Sequence, residues 1–133
     1  MANQFVVQLR NQAGALATLA EALAERSIDV RAIGGGGLGD TGHVIMTTAD
    51  DETAKAVLDE RGYTYIEGES ILVEVDDRPG GMARLARELA DAGVNIYGHL
   101  FLGRWGDRAT FAFVVDKPDV ARPILERKSP GPG

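Results

Sequence analysis

The stretch from Val73 to Tyr97, VEVDDRPGGMARLARELADAGVNIY, decides the fold of this chain of 133 residues. It begins with valine alternating with acidic residues, which is the period of a β-strand that buries one face. Pro79 then ends the strand, because its ring fixes φ at about −65° and it lacks an N–H. Leucines at helical spacing follow, and Gly93 is placed where a left-handed helix C-cap belongs. The stretch therefore predicts a strand, a tight turn, a helix and the start of another strand.

The turn exposes backbone N–H groups at Gly80–Met82, at the positive end of the predicted helix. Glycine at positions 80 and 81 lets a ligand approach the backbone without meeting a Cβ atom. Such a helix start can bind a carboxylate or another small anion. Asp77 lies just before the turn and could instead cap the same amides from within the chain. Both interpretations are compatible with the local sequence.

The chain contains an internal repeat. Sliding the sequence by 66 residues aligns the two halves without a gap, and over the first strand and helix seven of 18 positions are identical. This alignment matches Gly14 with Gly80 and Asp50 with Asp116. The two halves are therefore expected to be two copies of one small module.

The first half predicts the element order βαββαβ, the ferredoxin-like arrangement of an antiparallel sheet with helices on one face. Asp50 or Asp51 is expected to cap the second helix, and Gly62 to close it. The linker to the second half is only Gly68-Glu69-Ser70. Predicted strands span residues 5–9, 28–33, 43–48 and 63–66, predicted helices reach residues 26 and 58, and residues 34–42 form a glycine-rich connector.

The second half departs from this pattern at its end. Pro123 falls inside the expected second helix, which it should bend or end. The last six residues, Lys128–Gly133, include two prolines and two glycines and cannot form a central strand. The second module should therefore lack its fourth strand. We expect module 1 at residues 1–68, module 2 at residues 69–128 and a flexible tail at residues 129–133.

One family resemblance rests on these motifs. Asp77-Arg78-Pro79-Gly80 after a strand, an alanine- and leucine-rich helix, and then Gly93-Val94-Asn95-Ile96 resemble the ACT domain, a small regulatory module that binds amino acids. The two copies resemble the tandem-ACT proteins of bacteria. The resemblance covers residues 4 to about 127. It implies an α+β fold of two ferredoxin-like βαββαβ modules with antiparallel sheets.

The resemblance also implies a ligand, namely a free amino acid or a similar small carboxylate. It would lie between the β1–α1 turn of one module and the second strand of a neighbouring module. In ACT modules an Asn-like residue before the turn and an Asn in the second strand contact the ligand. The expected ligand-binding residues are Asn11, Ala13, Gly14, Ala15, Leu16 and Asp29 in the first half, and Asp77, Pro79, Gly80, Gly81, Met82 and Asn95 in the second half.

Three of these positions depart from the ACT pattern. Asp77 and Asp29 replace the commoner Asn, and Ala13 stands where the second half has Pro79. These departures allow the two sites to be unequal. A carboxylate before the turn would suit the ammonium group of an amino acid, whose own carboxylate would lie on the helix amides.

Composition excludes several classes of function. The net charge of −6 argues against nucleic acid and against an anionic membrane as partners. There are no cysteines, and His43 and His99 have no second ligand at metal-binding spacing, so we expect no metal or cofactor. The first residues are too short and polar for a signal peptide, and no apolar run could span a membrane. A cytoplasmic protein is expected.

The glycine-rich segment Gly34–Gly39 satisfies the pattern G-x-G-x-x-G. A dinucleotide-binding loop must open a helix, whereas this segment leads into another predicted strand, so it does not predict a nucleotide site. Two interpretations remain for it, a long hairpin with bulges and a flexible flap beside a ligand.

These observations favour a non-catalytic regulatory sensor of amino acids. We expect a homodimer that acts on an enzyme or a regulator in trans. One alternative is a small ferredoxin-like isomerase or cyclase, for which His99, Asp77 and Asp76 would be the acid–base candidates. The other alternative is an assembly module without a ligand.

Overall fold

The computed structural model of the chain describes residues 3–126. The contacts of the chain divide it into two compact units, with the boundary between Gly68 and Glu69. We call them unit 1 and unit 2. The predicted flexible tail, residues 129–133, lies outside the described residues.

Unit 1 has the predicted order βαββαβ. Its sheet has the strand order β2-β3-β1-β4. The apolar face of the sheet and the two helices enclose one core, whose largest buried side chains are Phe5, Leu19, Leu23, Met46 and Leu58. The elements are β1 (Asn3–Arg10), α1 (Ala15–Glu25), β2 (Val30–Leu38), β3 (Thr41–Thr48), α2 (Asp51–Glu60) and β4 (Tyr65–Glu69).

Unit 2 repeats this plan with fewer strands, which confirms the predicted fold class. Its sheet has three strands in the order β5-β7-β6 within the described residues. Its core includes Val73, Leu85, Leu89, Phe113 and Leu125. The elements are β5 (Ile71–Asp76), α3 (Gly81–Asp91), β6 (Ile96–Trp105), β7 (Arg108–Val115) and α4 (Pro118–Glu126).

Several helix boundaries follow the sequence signals. The side chain of Asp50 caps α2 by accepting a hydrogen bond from the Thr53 N–H at 3.1 Å. This bond and that of the Thr53 hydroxyl lower the pKa of Asp50. Gly62 and Gly93 take the left-handed conformation after their helices, with φ of 74° and 76°. Local capping chemistry therefore sets these ends, as predicted.

The glycine-rich connector is a wrong prediction. Gly34–Leu38 belong to β2 and pair with β3, which leaves only Gly39 and Asp40 as the turn. Glycine is a poor strand former by itself, but β3 offers a complete row of backbone partners and the pairing overrides that weakness. The predicted length of the linker is also wrong. The strand β4 extends through Glu69, and only Ser70 separates it from β5.

Pro123 was predicted to bend or end its helix, and it does not end it. The helix α4 continues through Pro123 to Glu126. Ala121 and Leu125 flank the proline and are fully buried in the core of unit 2, so packing holds the helix together there. None of the helices within residues 3–126 has the length and apolar character needed to cross a membrane.

The alignment without a gap fails within the second hairpin. Val7 pairs with Val44 in unit 1, and Val73 pairs with Phe111 in unit 2. The offset between the units is therefore 66 residues for the first strand but 67 for the strand paired with it. The extra residue is Leu102, which lies at the register shift between Phe101 and Gly103 in β6. This shift is a β-bulge.

The predicted match of Asp50 with Asp116 is wrong for the same reason. The Ala49 N–H donates to the Asp29 carbonyl in unit 1, and the Asp116 N–H donates to the Asn95 carbonyl in unit 2. Asp116 is thus the counterpart of Ala49. Its carboxylate accepts a hydrogen bond from the Asn95 N–H at 2.8 Å.

Tyr65 provides a test of the packing in unit 1. Its hydroxyl donates to Asp59 at 2.6 Å. Burial, this hydrogen bond and the charges of Asp59 and Glu67 raise the pKa of Tyr65 from 10.0 to about 12. The unfolded chain then loses the phenol proton at a lower pH than the folded chain. The contribution of Tyr65 to stability is therefore complete below pH 10 and is lost as the pH rises toward 12.

We expect Tyr65→Phe to flatten the fall in stability across this alkaline range, because no phenol remains to titrate. The measurement is the urea midpoint of unfolding, followed by circular dichroism at a series of pH values. Tyr63→Phe is the matched control, since Tyr63 packs against the same core. Equal flattening by the two substitutions would contradict the assignment to Tyr65.

Candidate functional site

The starts of α1 and α3 share one geometry. Gly14 and Gly80 are the N-cap residues, with φ of 89° and 88°, a left-handed conformation that favours glycine. Neither helix start receives a side-chain cap. The Asp77 carboxylate instead accepts a hydrogen bond from Arg104, so the alternative in which Asp77 caps α3 is wrong.

The row of free amides is shorter than predicted. Gly81 N–H donates to the Arg78 carbonyl at 3.1 Å, and Ala15 N–H donates to the Gln12 carbonyl at 3.3 Å. The first bonds within the helices are those of Thr18 and Arg84 to the N-cap carbonyls. Helix geometry thus leaves two amides free of intrahelical bonds at each start, Leu16 and Ala17 in α1 and Met82 and Ala83 in α3.

A cavity of about 410 Å³ lies beside the start of α1. Three predicted site residues, Asn11, Ala15 and Leu16, line it. The opposite wall is the glycine segment of β2, for which the sequence left open a long hairpin with bulges and a flexible flap beside a ligand. We call this space the glycine cavity; Ile33, Gly34, Gly35, Gly36 and Gly42 are among its lining residues.

The rows of paired residues across the sheet explain why this space is open. Val7, Val44 and Gly35 form one row, and Leu9, Gly42 and Gly37 form the next. Val7 and Val44 are buried in the core under the helices, so both rows face the helix side of the sheet. Three of the six positions are glycine and place no side chain there.

Gly35 is also required by the strand pairing. A Cβ atom at this residue would lie 2.2 Å from the His43 carbonyl oxygen on β3. Any other residue would push the two strands apart. The closeness of the strands therefore keeps this wall of the cavity free of side chains.

Asn11 occupies the edge of the cavity. Its Nδ2 donates to the Gly39 carbonyl at 2.9 Å, and its backbone N–H donates to the Asp40 carbonyl at 2.9 Å. Its Oδ1 lies only 2.4 Å from the point where a Cβ atom on Gly37 would be. These contacts fix the Asn11 amide and place an acceptor oxygen next to a residue without a side chain.

The other predicted residues of unit 1 lie elsewhere. Asp29 does not line the glycine cavity; it is exposed and its carboxylate is 3.6 Å from Arg31 Nε. Ala13 and Gly14 form the exposed turn and are not lining residues either. A second cavity, of about 490 Å³, lies beside Gln12 and Thr18, with Arg61 and Tyr63 in its wall.

The same position in unit 2 is filled by side chains. Val73, Phe111 and Phe101 form the row that corresponds to Val7, Val44 and Gly35. The next row there is Val75, Ala109 and Arg104, so Arg104 is the counterpart of Gly37.

Arg104 joins the predicted residue Asp77 to this filled position. The Nε of Arg104 donates to the Asp77 carboxylate at 2.5 Å. Its guanidinium group lies 4.8 Å from the centre of the Phe101 ring. An ion pair and a cation–π contact therefore lie where unit 1 has Gly35 in the cavity wall and Gly37 against the Asn11 amide.

The remaining predicted residues of unit 2 surround the start of α3. Pro79 and Gly80 are exposed, and Met82 is 37% exposed. Gly81 is buried against the backbone of Asp76. Asn95 is exposed, and its N–H is bound to Asp116.

The acid–base candidates of the enzyme alternative do not converge. Asp77 is paired with Arg104, and Asp76 is paired with Arg108. Hydrogen bonds and charges of Glu74 and Asp76 raise the pKa of Arg108. His99 packs at the edge of the Phe113 ring, 6.2 Å between ring centres. Residues 3–126 also contain no cluster of three or more metal-ligating side chains.

Comparison with known proteins identifies the fold. No protein-family model and no curated protein sequence matches the chain. Protein BT0572 from Bacteroides thetaiotaomicron superposes with a TM-score of 0.70 at 21% identity, over 95% of this chain and 87% of that one. The regulatory subunit of aspartate kinase from Thermus thermophilus superposes with a TM-score of 0.60 at 21% identity, over 96% of this chain and 91% of that one. The regulatory subunit of aspartate kinase from Thermus flavus superposes with a TM-score of 0.62 at 18% identity, over 95% of this chain and 90% of that one.

The fold is ACT-like. At these identities the likeness shows the fold alone, and it agrees with the resemblance seen in the Asp-x-Pro-Gly and Gly-Val-Asn-Ile motifs. In unit 1 the β1–α1 turn and the second strand of the same unit line one cavity. Sequence reasoning missed Ile33, Gly35 and Gly42 as cavity residues, and only the register of the β2–β3 hairpin could have identified them.

Gly81 tests how tightly the turn before α3 is packed. An added Cβ atom would lie 2.2 Å from the Asp76 carbonyl oxygen. We expect Gly81→Ala to lower the free energy of unfolding by about 1–3 kcal/mol, as overpacking does. Urea unfolding followed by circular dichroism measures this. The control is Gly36→Ala, whose Cβ would meet no atom within 4 Å; the prediction fails if both variants unfold at the same midpoint.

Proposed function

We propose that this chain is a non-catalytic regulatory protein that binds a free amino acid in the glycine cavity of unit 1. The ligand carboxylate lies on the Leu16 and Ala17 amides, and the ammonium group donates to Asn11 Oδ1. The observation that carries the proposal is an open cavity at a helix start that no side chain caps.

The electrostatics of the site support this placement. Free amides and the positive end of the α1 dipole favour a negative group at the helix start. The volume of about 410 Å³ lies within the range of small-molecule pockets, roughly 300–1,000 Å³. The fixed Asn11 amide offers an acceptor at the cavity edge, which suits an ammonium group.

The comparisons support a regulatory role. Two of the superposed structures are regulatory subunits of aspartate kinase. By analogy with them, we propose that the chain forms a homodimer in the cytoplasm and passes its signal to an enzyme or a regulator in trans. Ligand binding can shift such a partner only if it favours one conformation of the sensor over another.

Unit 2 is proposed to serve an architectural role without a ligand. Phe101 and Arg104 stand in the place that corresponds to the glycine cavity, and Asp77 is engaged by Arg104. The expected stoichiometry is therefore one amino acid per chain.

Isothermal titration of the chain with each of the twenty common amino acids tests the proposal. We expect at least one of them to bind with a Kd between about 1 μM and about 1 mM, the range of metabolite sensing. Absence of heat for all of them at millimolar concentration would leave only the architectural role.

Asn11→Ala tests the ammonium position. We expect the Kd to rise about 10-fold or more, because a hydrogen bond to a charged group is lost. The matched control is Asp77→Ala, which changes the corresponding residue of unit 2 and should leave the Kd unchanged. A larger loss of affinity in the control would place the ligand in unit 2 instead.

A further inference from the structure

We infer that the amino acid bound by unit 1 has an uncharged, apolar side chain. This inference rests on the proposed function and names the class of its ligand. It follows from the walls of the glycine cavity and from what fills the same place in unit 2.

The helix side of the cavity is mainly apolar. Leu9, Leu16, Ile33 and Val44 line it, and the polar Asn11 and Gln12 lie at the turn before α1. Leu16 and Ile33 are 51% and 52% exposed, although both line the space between helix and sheet. An apolar ligand group would cover these two side chains and remove their surface from water.

The basic lining residues, Arg10 and His43, belong to the other side of the sheet. Arg10 follows Leu9 along β1, and His43 precedes Val44 along β3. Neighbouring residues of a strand point to opposite faces, so Arg10 and His43 project away from the face of Leu9 and Val44. A charged ligand side chain on the helix side would therefore lose water without gaining a partner of opposite charge.

Unit 2 shows which groups fit this place. Phe101, the counterpart of Gly35, packs its ring at the edge of Phe111, 5.6 Å between ring centres. Arg104, the counterpart of Gly37, presents a cationic N–H to Asp77. Unit 2 thus supplies from its own chain an apolar group and a cationic donor side by side. The free amino acid supplies the same pair in unit 1, with its ammonium group on Asn11.

Titration of the whole chain with two sets of amino acids tests the inference. The first set is leucine, isoleucine, valine and phenylalanine, and the second set is aspartate, glutamate, lysine and arginine. We expect at least one member of the first set to bind, and all members of the second set to bind about 100-fold more weakly or not at all.

A substitution in the cavity wall sharpens the test. Leu16→Lys places a cation among the apolar residues, so the apolar ligand should lose about 10-fold or more in affinity. The control is Met82→Lys, the corresponding change in unit 2, which should leave the affinity unchanged. Both residues are partly exposed, and circular dichroism checks that both variants fold.

The outcomes separate the two levels of the proposal. Tight binding of a charged amino acid, with none of the apolar set bound, overturns the ligand class and leaves the sensor function intact. No binding by any member of either set, or of the remaining amino acids, overturns the sensor function itself. Equal loss of affinity in the two lysine variants overturns the location of the apolar group.

Discussion

The backbone pairing of the glycine segment with β3 is the interaction on which the candidate site depends. Gly34–Gly37 offer no side chains, so their hydrogen bonds to β3 hold them in the sheet. Each glycine raises the entropic cost of ordering the strand by about 0.5–1 kcal/mol relative to alanine. The close approach at Gly35 excludes a Cβ atom, so the same contact that completes the strand also leaves the cavity open.

Unit 2 uses the same scaffold with the opposite result. One inserted residue, Leu102, is taken up by the bulge in β6. Arg104 therefore keeps the row of Val75 and Ala109, which corresponds to the row of Gly37 in unit 1. The filled unit differs from the open one because Phe101 and Arg104 replace two glycines, and Arg104 reaches Asp77.

The sequence predicted the fold better than the site, for physical reasons. The element order and the turns at Gly14, Gly62 and Gly93 follow from local chemistry, and the structure has them. The sequence predicted a connector at the glycine segment because glycine is a weak strand former, and this segment forms a strand only through its pairing with β3. Asp77 had the right spacing for a helix cap, but its actual partner, Arg104, lies 27 residues away and is visible only in three dimensions.

The ion pair in unit 2 matters more for the space that it fills than for the stability that it adds. The Arg104 and Asp77 side chains are 61% and 29% exposed, and pairs of this kind contribute about 0–1 kcal/mol. Such a pair adds little to the folded state, yet it covers the Asp77 carboxylate and holds the guanidinium over Phe101. Unit 1 has glycine at both counterpart positions, with the glycine cavity beside Gly35 and the Asn11 amide against Gly37. The two units thus differ mainly in how much of the space beside the helix start is filled by their own side chains.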